Sequence, residues 1–259
     1  MYKNFSIRFC LISCLILVAF KPVHEKITIF SIGDSTMADY DINEWSKNNG
    51  GKNYPLRGWM MAMPQFVKKD VIIHNAAISG ISSKSFRDEG AWQKVIDQVK
   101  PGDYVFIQFG HNDEKPDSAS HTDARTSFRH NLINYVSETQ SKGGNPVLFT
   151  SLVRRKFDAN GKLVDTHGDY VTVVRELAAE LKVPLVDLNK LMGDLVQQMG
   201  MEESKKIYLY IEPGLFTKLP EGKKDDTHLC EFGATKVAQL AVKEVKRLKL
   251  PLGSYLKKI

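Results

Sequence analysis

"KITIFSIGDSTMADYD" (26–41) decides how the rest of the chain is read. An apolar, β-branched run stops at Gly33 and hands over to Asp34, Ser35 and Thr36. Near-continuous hydrophobicity of that length predicts a strand buried on both faces, and a hydroxyl just past its end falls where parallel sheets place ligands. Four more runs of the same kind follow: "DVIIHNA" (70–76), "DYVFIQF" (103–109), "PVLFTS" (146–151) and "PLVDL" (184–188). Helical spacing occupies "WMMAMPQFVKK" (59–69), "WQKVIDQVK" (92–100) and "SFRHNLINYVSETQSKG" (127–143). It returns in "DYVTVVRELAAELK" (169–182) and "FGATKVAQLAVKEVKRL" (232–248), while Pro64 weakens the first of the five. Strand and helix alternate, so the prediction is an α/β fold: a three-layer α/β/α sandwich on a five-stranded parallel sheet, flavodoxin-like in winding. The longest irregular stretches, 38–56 and 202–228, read as functional loops or insertions.

With 259 residues, 42% of them hydrophobic, the chain has enough apolar material for one substantial core, and a single domain over 21–259 is the simplest division. Residues 1–20 stand apart. Lys3 and Arg8 precede the apolar "FCLISCLILVAF" (9–20), too short to span a bilayer but suited to the central region of an export signal. Export to the periplasm or the extracellular space is therefore expected, although "LVAFKP" offers no clean pair of small residues for cleavage. "LISC" (11–14) also resembles a lipoprotein signal with Cys14 as the lipidated residue, but the apolar run continuing past Cys14 favours a plain export signal. Removing the segment takes Cys10 and Cys14 with it, leaves Cys230 alone, and excludes an internal disulfide. The formal charge of +6 drops by two with Lys3 and Arg8, and the remaining charges are interspersed. That pattern argues against a nucleic-acid partner and suits an anionic polymer. The sequence does not specify an oligomeric state.

Chemistry collects at the strand ends. "GDST" with Ser35 follows the first strand, "NAAISGISS" with Gly80 the second, and "FGHND" with Asn112 the third. "DDTHLCEFGA", with Asp225 and His228, precedes the last helix. Singly these are weak: a serine after a strand is more often a helix cap, and an asparagine in such a turn usually serves the turn. Together they compose acyl transfer. A histidine activates a serine, and an aspartate three residues before it reaches the second ring nitrogen across one turn. The backbone N–H groups of Ser35 and Gly80 and the amide of Asn112 form a candidate oxyanion hole. The other histidines show no metal-ligand spacing and no CxxC occurs, so no metal and no cofactor is expected.

"GDST", "SGISSKSF", "GDYVFIQFGHND" and "DDTHLCEFGA" resemble the four sequence blocks of SGNH (GDSL-type) hydrolases. More narrowly they resemble the rhamnogalacturonan acetylesterase family of carbohydrate esterases, over nearly the whole chain after residue 26 and including "VRRKFDANGKLVDTHGDY" (153–170). The resemblance implies Ser35 as nucleophile, His228 and Asp225 as its partners, and Gly80 and Asn112 completing the oxyanion hole. It also implies an acetylated plant cell-wall polysaccharide, pectic in kind, as substrate. One departure stands out: the family often reads Gly-Arg-Ser in the second block, whereas Ile81 follows Gly80 here.

Other features admit two readings. Met60, Met61 and Met63 fit core packing. Trp45, Tyr54 and Trp59 suit either sugar stacking or burial. Lys218, Lys223 and Lys224, in "KKIYLYIEPGLFTKLPEGKKDDTH" (205–228), form either a solvated loop or a substrate-binding rim for acidic sugars. Competing functions keep the site and change the substrate to acetylated xylan or a lipid ester, or lose the chemistry in a silent carbohydrate binder. A phosphate binder is disfavoured, because no GxGxxG or GxxxxGK[ST] occurs and Asp34 places negative charge at the turn.

Overall fold

The computed structural model describes residues 26–47, 51–116 and 119–258. The expected export segment, with Cys10 and Cys14, lies outside the described residues. Among those described, the strands are β1 (Ile27–Gly33), β2 (Leu56–Arg57), β3 (Val71–Asn75), β4 (Tyr104–Gln108), β5 (Asn145–Phe149), β6 (Leu185–Val186), β7 (Tyr208–Ile211) and β8 (Lys223–Cys230). The α-helices are α1 (Ile42–Lys47), α2 (Ser85–Asp88), α3 (Ala91–Ile96), α4 (Arg129–Ser141), α5 (Asp169–Glu180), α6 (Leu188–Glu203) and α7 (Glu231–Arg247).

The five expected strands form one parallel sheet in the order β3-β1-β4-β5-β6. Strand alternation divides the core. Ile27, Ile29, Tyr104, Phe106, Val147 and Phe149 face a layer built by α6, α7 and the Trp59–Gln65 segment. Phe30, Ile32, Val105, Ile107 and Leu148 face the opposite layer of α2 to α5. The predicted three-layer α/β/α sandwich is thus present, with both faces of the sheet covered. Because β1 lies between β3 and β4, the loops leaving it open a crevice at the carboxyl ends of the strands, the place where such sheets bind ligands.

Two expectations are corrected, and one helix is added. The 59–69 helix is a shorter 3-10 helix over Trp59–Gln65, with Pro64, which has no N–H to give to the ladder, inside its last turn. Residues 188–203, outside the five helical patterns read from the sequence, form a further helix, α6, kinked at Gly200. Asp187 caps α6 by accepting from the Lys190 N–H, and Leu188, Met192 and Val196 recur every fourth residue on its buried face. The stretches 38–56 and 202–228, read as functional loops or insertions, hold regular structure besides their loops. They supply the first residue of β2, all of β7 and most of β8, a small antiparallel sheet in the order β2-β8-β7. Over it pack Tyr54, Leu209, Ile211 and Phe216, with Trp45 stacked on Tyr54 at 4.3 Å.

Candidate active site

The turn after β1 is built around Asp34. Its Oδ1 accepts from the Thr36 N–H and hydroxyl at 2.9 and 2.8 Å. The Thr36 hydroxyl in turn accepts from Gln108 Nε2 at 2.7 Å, and Gln108 Oε1 accepts from the Trp59 indole at 2.9 Å. All four residues are buried, so the chain of bonds ties the turn rigidly to β4 and the adjoining 3-10 helix. Trp59 is therefore a core residue rather than a sugar platform, and Tyr54 is buried too. Gly58 allows the close approach: a Cβ there would fall 2.1 Å from the Ala38 carbonyl oxygen. Tyr40 donates to the Ser35 carbonyl at 2.7 Å, and burial pushes its phenol up to about 12, which keeps it a donor.

Ser35 projects from this turn toward His228. Its Oγ lies 3.0 Å from His228 Nε2, and His228 Nδ1 lies 2.8 Å from Asp225 Oδ2. The local backbone explains the second contact. Tyr208 on β7 stands opposite Leu229, but its neighbour Leu209 stands opposite Asp225, so Asp226, Thr227 and His228 bulge out of β8. The bulge folds back on the carboxylate: Asp225 Oδ1 accepts from the Thr227 and His228 N–H groups at 3.0 and 2.9 Å. Burial alone would raise the Asp225 pKa, but the hydrogen bonds and charge of His228 outweigh it and hold the carboxyl well below its ordinary range. An ionised Asp225 fixes the Nδ1–H tautomer and leaves Nε2 free to take the serine proton. Asp226 belongs elsewhere, because Arg155 and Tyr210 donate to its Oδ1 at 2.8 and 2.6 Å.

Gly80 and Asn112 complete the cluster, lining one pocket with Ser35, Ser79, His111, Lys115, Arg154, Thr227 and His228. Gly80 has φ +83°, a conformation that favours glycine. Ile81, where the family often carries arginine, is buried in the core, and its carbonyl accepts from Asn112 Nδ2 at 2.8 Å. The structure thus brings together all five residues that the sequence singled out. The lysine rim is different. None of Lys218, Lys223 and Lys224 is among the lining residues, and Lys223 instead lies 3.1 Å from Asp225 Oδ2. The cations in the pocket wall are Lys115 and Arg154, which sequence reasoning missed. Lys115 donates to Asn112 Oδ1 at 2.7 Å, and Arg154 pairs with Glu114 at 2.5 Å.

His111 in the pocket wall forms a buried pair with Asp34, its Nδ1 3.3 Å from Asp34 Oδ2. Burial favours the neutral imidazole and lowers the His111 pKa. Burial would raise Asp34, but His111 and the two Thr36 donors outweigh it. A neutral His111 beside an ionised Asp34 is the direction that stands, because Thr36 holds the carboxylate independently of the ring. Asp113 behaves oppositely. Burial pushes it up to about 6 despite the hydrogen bonds from Ser83 and Thr122.

The folded state holds the Asp113 proton more tightly than the unfolded chain, so folding loses stability as pH rises from the unfolded value of 3.8 through about 6. The full cost, on the order of 3 kcal/mol, is reached above that range. His111 acts in the reverse sense over part of the window, so the difference between variant and parent isolates Asp113. Relative to the parent, Asp113→Asn should gain about 5–10 °C in Tm between about pH 4 and pH 7. Thermal unfolding across that range checks it, and a pH-independent difference would count against a raised Asp113.

Residues 31–202 match the GDSL-like lipase/acylhydrolase family, and the chain belongs to that family. It is accordingly a carboxylic ester hydrolase, as the resemblance implied. Among relatives, the rhamnogalacturonan acetylesterase RhgT of Bacillus subtilis (strain 168) is 36% identical over 232 residues, 90% of this chain and 95% of that protein. The rhamnogalacturonan acetylesterase of Emericella nidulans is 37% identical over 240 residues, 84% of each chain. Of solved structures, the Bacillus subtilis protein YxiM superposes with a TM-score of 0.72 at 27% identity. That match covers 87% of this chain, which spans only 58% of the YxiM chain. The acetylxylan esterase Axe2 of Geobacillus stearothermophilus (TM-score 0.59, 18% identity, 85% of this chain and 94% of that one) shares the fold.

Proposed function

We propose that this chain is an exported serine esterase that removes O-acetyl groups from an acidic plant cell-wall polysaccharide, pectic rhamnogalacturonan in particular. The carrying observation is the contact series Ser35 Oγ–His228 Nε2–Asp225 at 3.0 and 2.8 Å, opening into a pocket that also holds Gly80 and Asn112. In this reading Ser35 Oγ attacks the acetyl carbonyl carbon while His228 Nε2 takes its proton. The carbonyl oxygen becomes an oxyanion received by the Ser35 and Gly80 N–H groups and by Asn112 Nδ2. The intermediate collapses with loss of the sugar alkoxide, which takes the proton from His228, and an acetyl ester remains on Ser35. Water then attacks that ester, with His228 taking its proton, and the Ser35 Oγ–carbon bond breaks as Oγ recovers the proton from His228 and acetate leaves.

The acidic substrate is supported by Lys115 and Arg154 in the pocket wall and by relatives that are named rhamnogalacturonan acetylesterases. Attraction between these cations and galacturonate carboxylates acts through solvent and is screened over about 10 Å at 0.1 M salt. Acetate release should therefore be faster from acetylated pectic polymer than from acetylated xylan. The pectic kcat/KM should fall severalfold between roughly 0.02 and 0.5 M salt while a small neutral acetyl ester hardly responds. Preference for xylan, or equal salt response of polymer and small ester, would keep the esterase and overturn the acidic substrate.

A further inference from the structure

An asparagine amide can sit in two orientations that exchange its oxygen and nitrogen, and only one presents N–H to an oxyanion. At Asn112 both ends are held by partners of opposite polarity. The Ile81 carbonyl accepts from Nδ2 at 2.8 Å, and the Lys115 ammonium donates to Oδ1 at 2.7 Å. A flipped amide would set its NH2 against the ammonium and its carbonyl against the Ile81 oxygen. Of the two restraints the lysine's is charge-assisted and therefore the stronger. One Nδ2 hydrogen goes to Ile81, which leaves the second for the pocket.

The ammonium does more than orient. By drawing electron density toward Oδ1 it polarises the amide, and a polarised amide is a better donor through Nδ2. Lys115 is placed to do this by the chain itself: it closes the turn begun at Asn112, with its backbone N–H 3.4 Å from the Asn112 carbonyl. Its side chain lines the same pocket as Ser35 and Gly80.

We infer that Lys115 is a positioning residue of the oxyanion hole, fixing and polarising the Asn112 amide so that its remaining N–H meets the negative charge developing on the substrate carbonyl. This rests on the esterase reading above. Lys115 is exposed and donates to one side chain of the turn, so its replacement tests chemistry rather than folding.

The experiment is a double-mutant cycle on 4-nitrophenyl acetate, a neutral ester with no carboxylate for a lysine to bind. Asn112→Ala alone should lower kcat by about 10²–10³. Lys115→Met should lower kcat by about tenfold to a hundredfold with KM changed by less than about threefold, and with Tm unchanged. Lys115→Arg, which keeps a cationic donor, should retain more of the rate. In the Asn112→Ala background Lys115→Met should change kcat by less than about twofold, because the group it acts through is gone. Equal losses in both backgrounds, a loss confined to KM, or no loss in either would overturn the assignment. Failure of the esterase reading would show separately, as a parent protein no more active than Ser35→Ala.

Discussion

Ser35→Ala is expected to lower kcat for a small acetyl ester by roughly six orders of magnitude, the scale on which a triad fails when its serine is removed. Tm should stay within about 2 °C of the parent, a tolerance that reflects the small contribution of one hydroxyl contact. The Oγ contact that the structure gives is to His228 Nε2 at 3.0 Å, so its loss leaves no buried polar partner stranded in the core. His228→Ala should fall comparably, because a serine without its base is a poor nucleophile at neutral pH. Turnover retained in Ser35→Ala would remove the hydroxyl from the mechanism and return Ser35 to a structural role in the turn.

How much of this was legible follows from where each signal resides. Ser35, Gly80 and Asn112 follow three successive strands of a parallel sheet, and strand order alone brings their loops to one edge. Asp225 and His228 were legible from spacing, although a strand bulge joins them rather than a turn before a helix. The small second sheet was not. β2 has two residues, and "KKDDTHLC" in β8 has no apolar alternation, because the bulge that serves the site breaks its periodicity. Trp59 beside the Ser35 loop looked equally fit to meet a sugar, and only tertiary pairing with Gln108 places it in the core. Lys115 and Arg154 were missed because no motif marks them. Their place in the pocket depends on how the loops after β4 and β5 fold. The lysines of 218–224 were conspicuous in sequence for their density, and density does not specify direction.

Asp225→Asn should lower kcat by about 10⁴ while Asp226→Asn changes it by less than about threefold. The two aspartates are neighbours in sequence, and their partners separate them. Asp225 Oδ2 meets His228 Nδ1 at 2.8 Å, whereas Asp226 Oδ1 serves Arg155 and Tyr210. An asparagine at 225 retains Oδ1 for the Thr227 and His228 N–H groups, so the bulge survives. What changes is the atom opposite the ring. An NH2 in place of Oδ2 must donate, which forces His228 to carry its proton on Nε2, the nitrogen that has to accept from Ser35. The variant also leaves Lys223 without the carboxylate 3.1 Å away and removes the charge that stabilises the imidazolium. Asp226→Asn should act on stability instead, because it removes the charge that Arg155 faces with most of its side chain buried. Steady-state rates and Tm for both variants decide the assignment. A wild-type rate in Asp225→Asn, or a collapse of rate with intact Tm in Asp226→Asn, would transfer the orienting role to Asp226 and require the 225–228 bulge to rearrange when substrate binds.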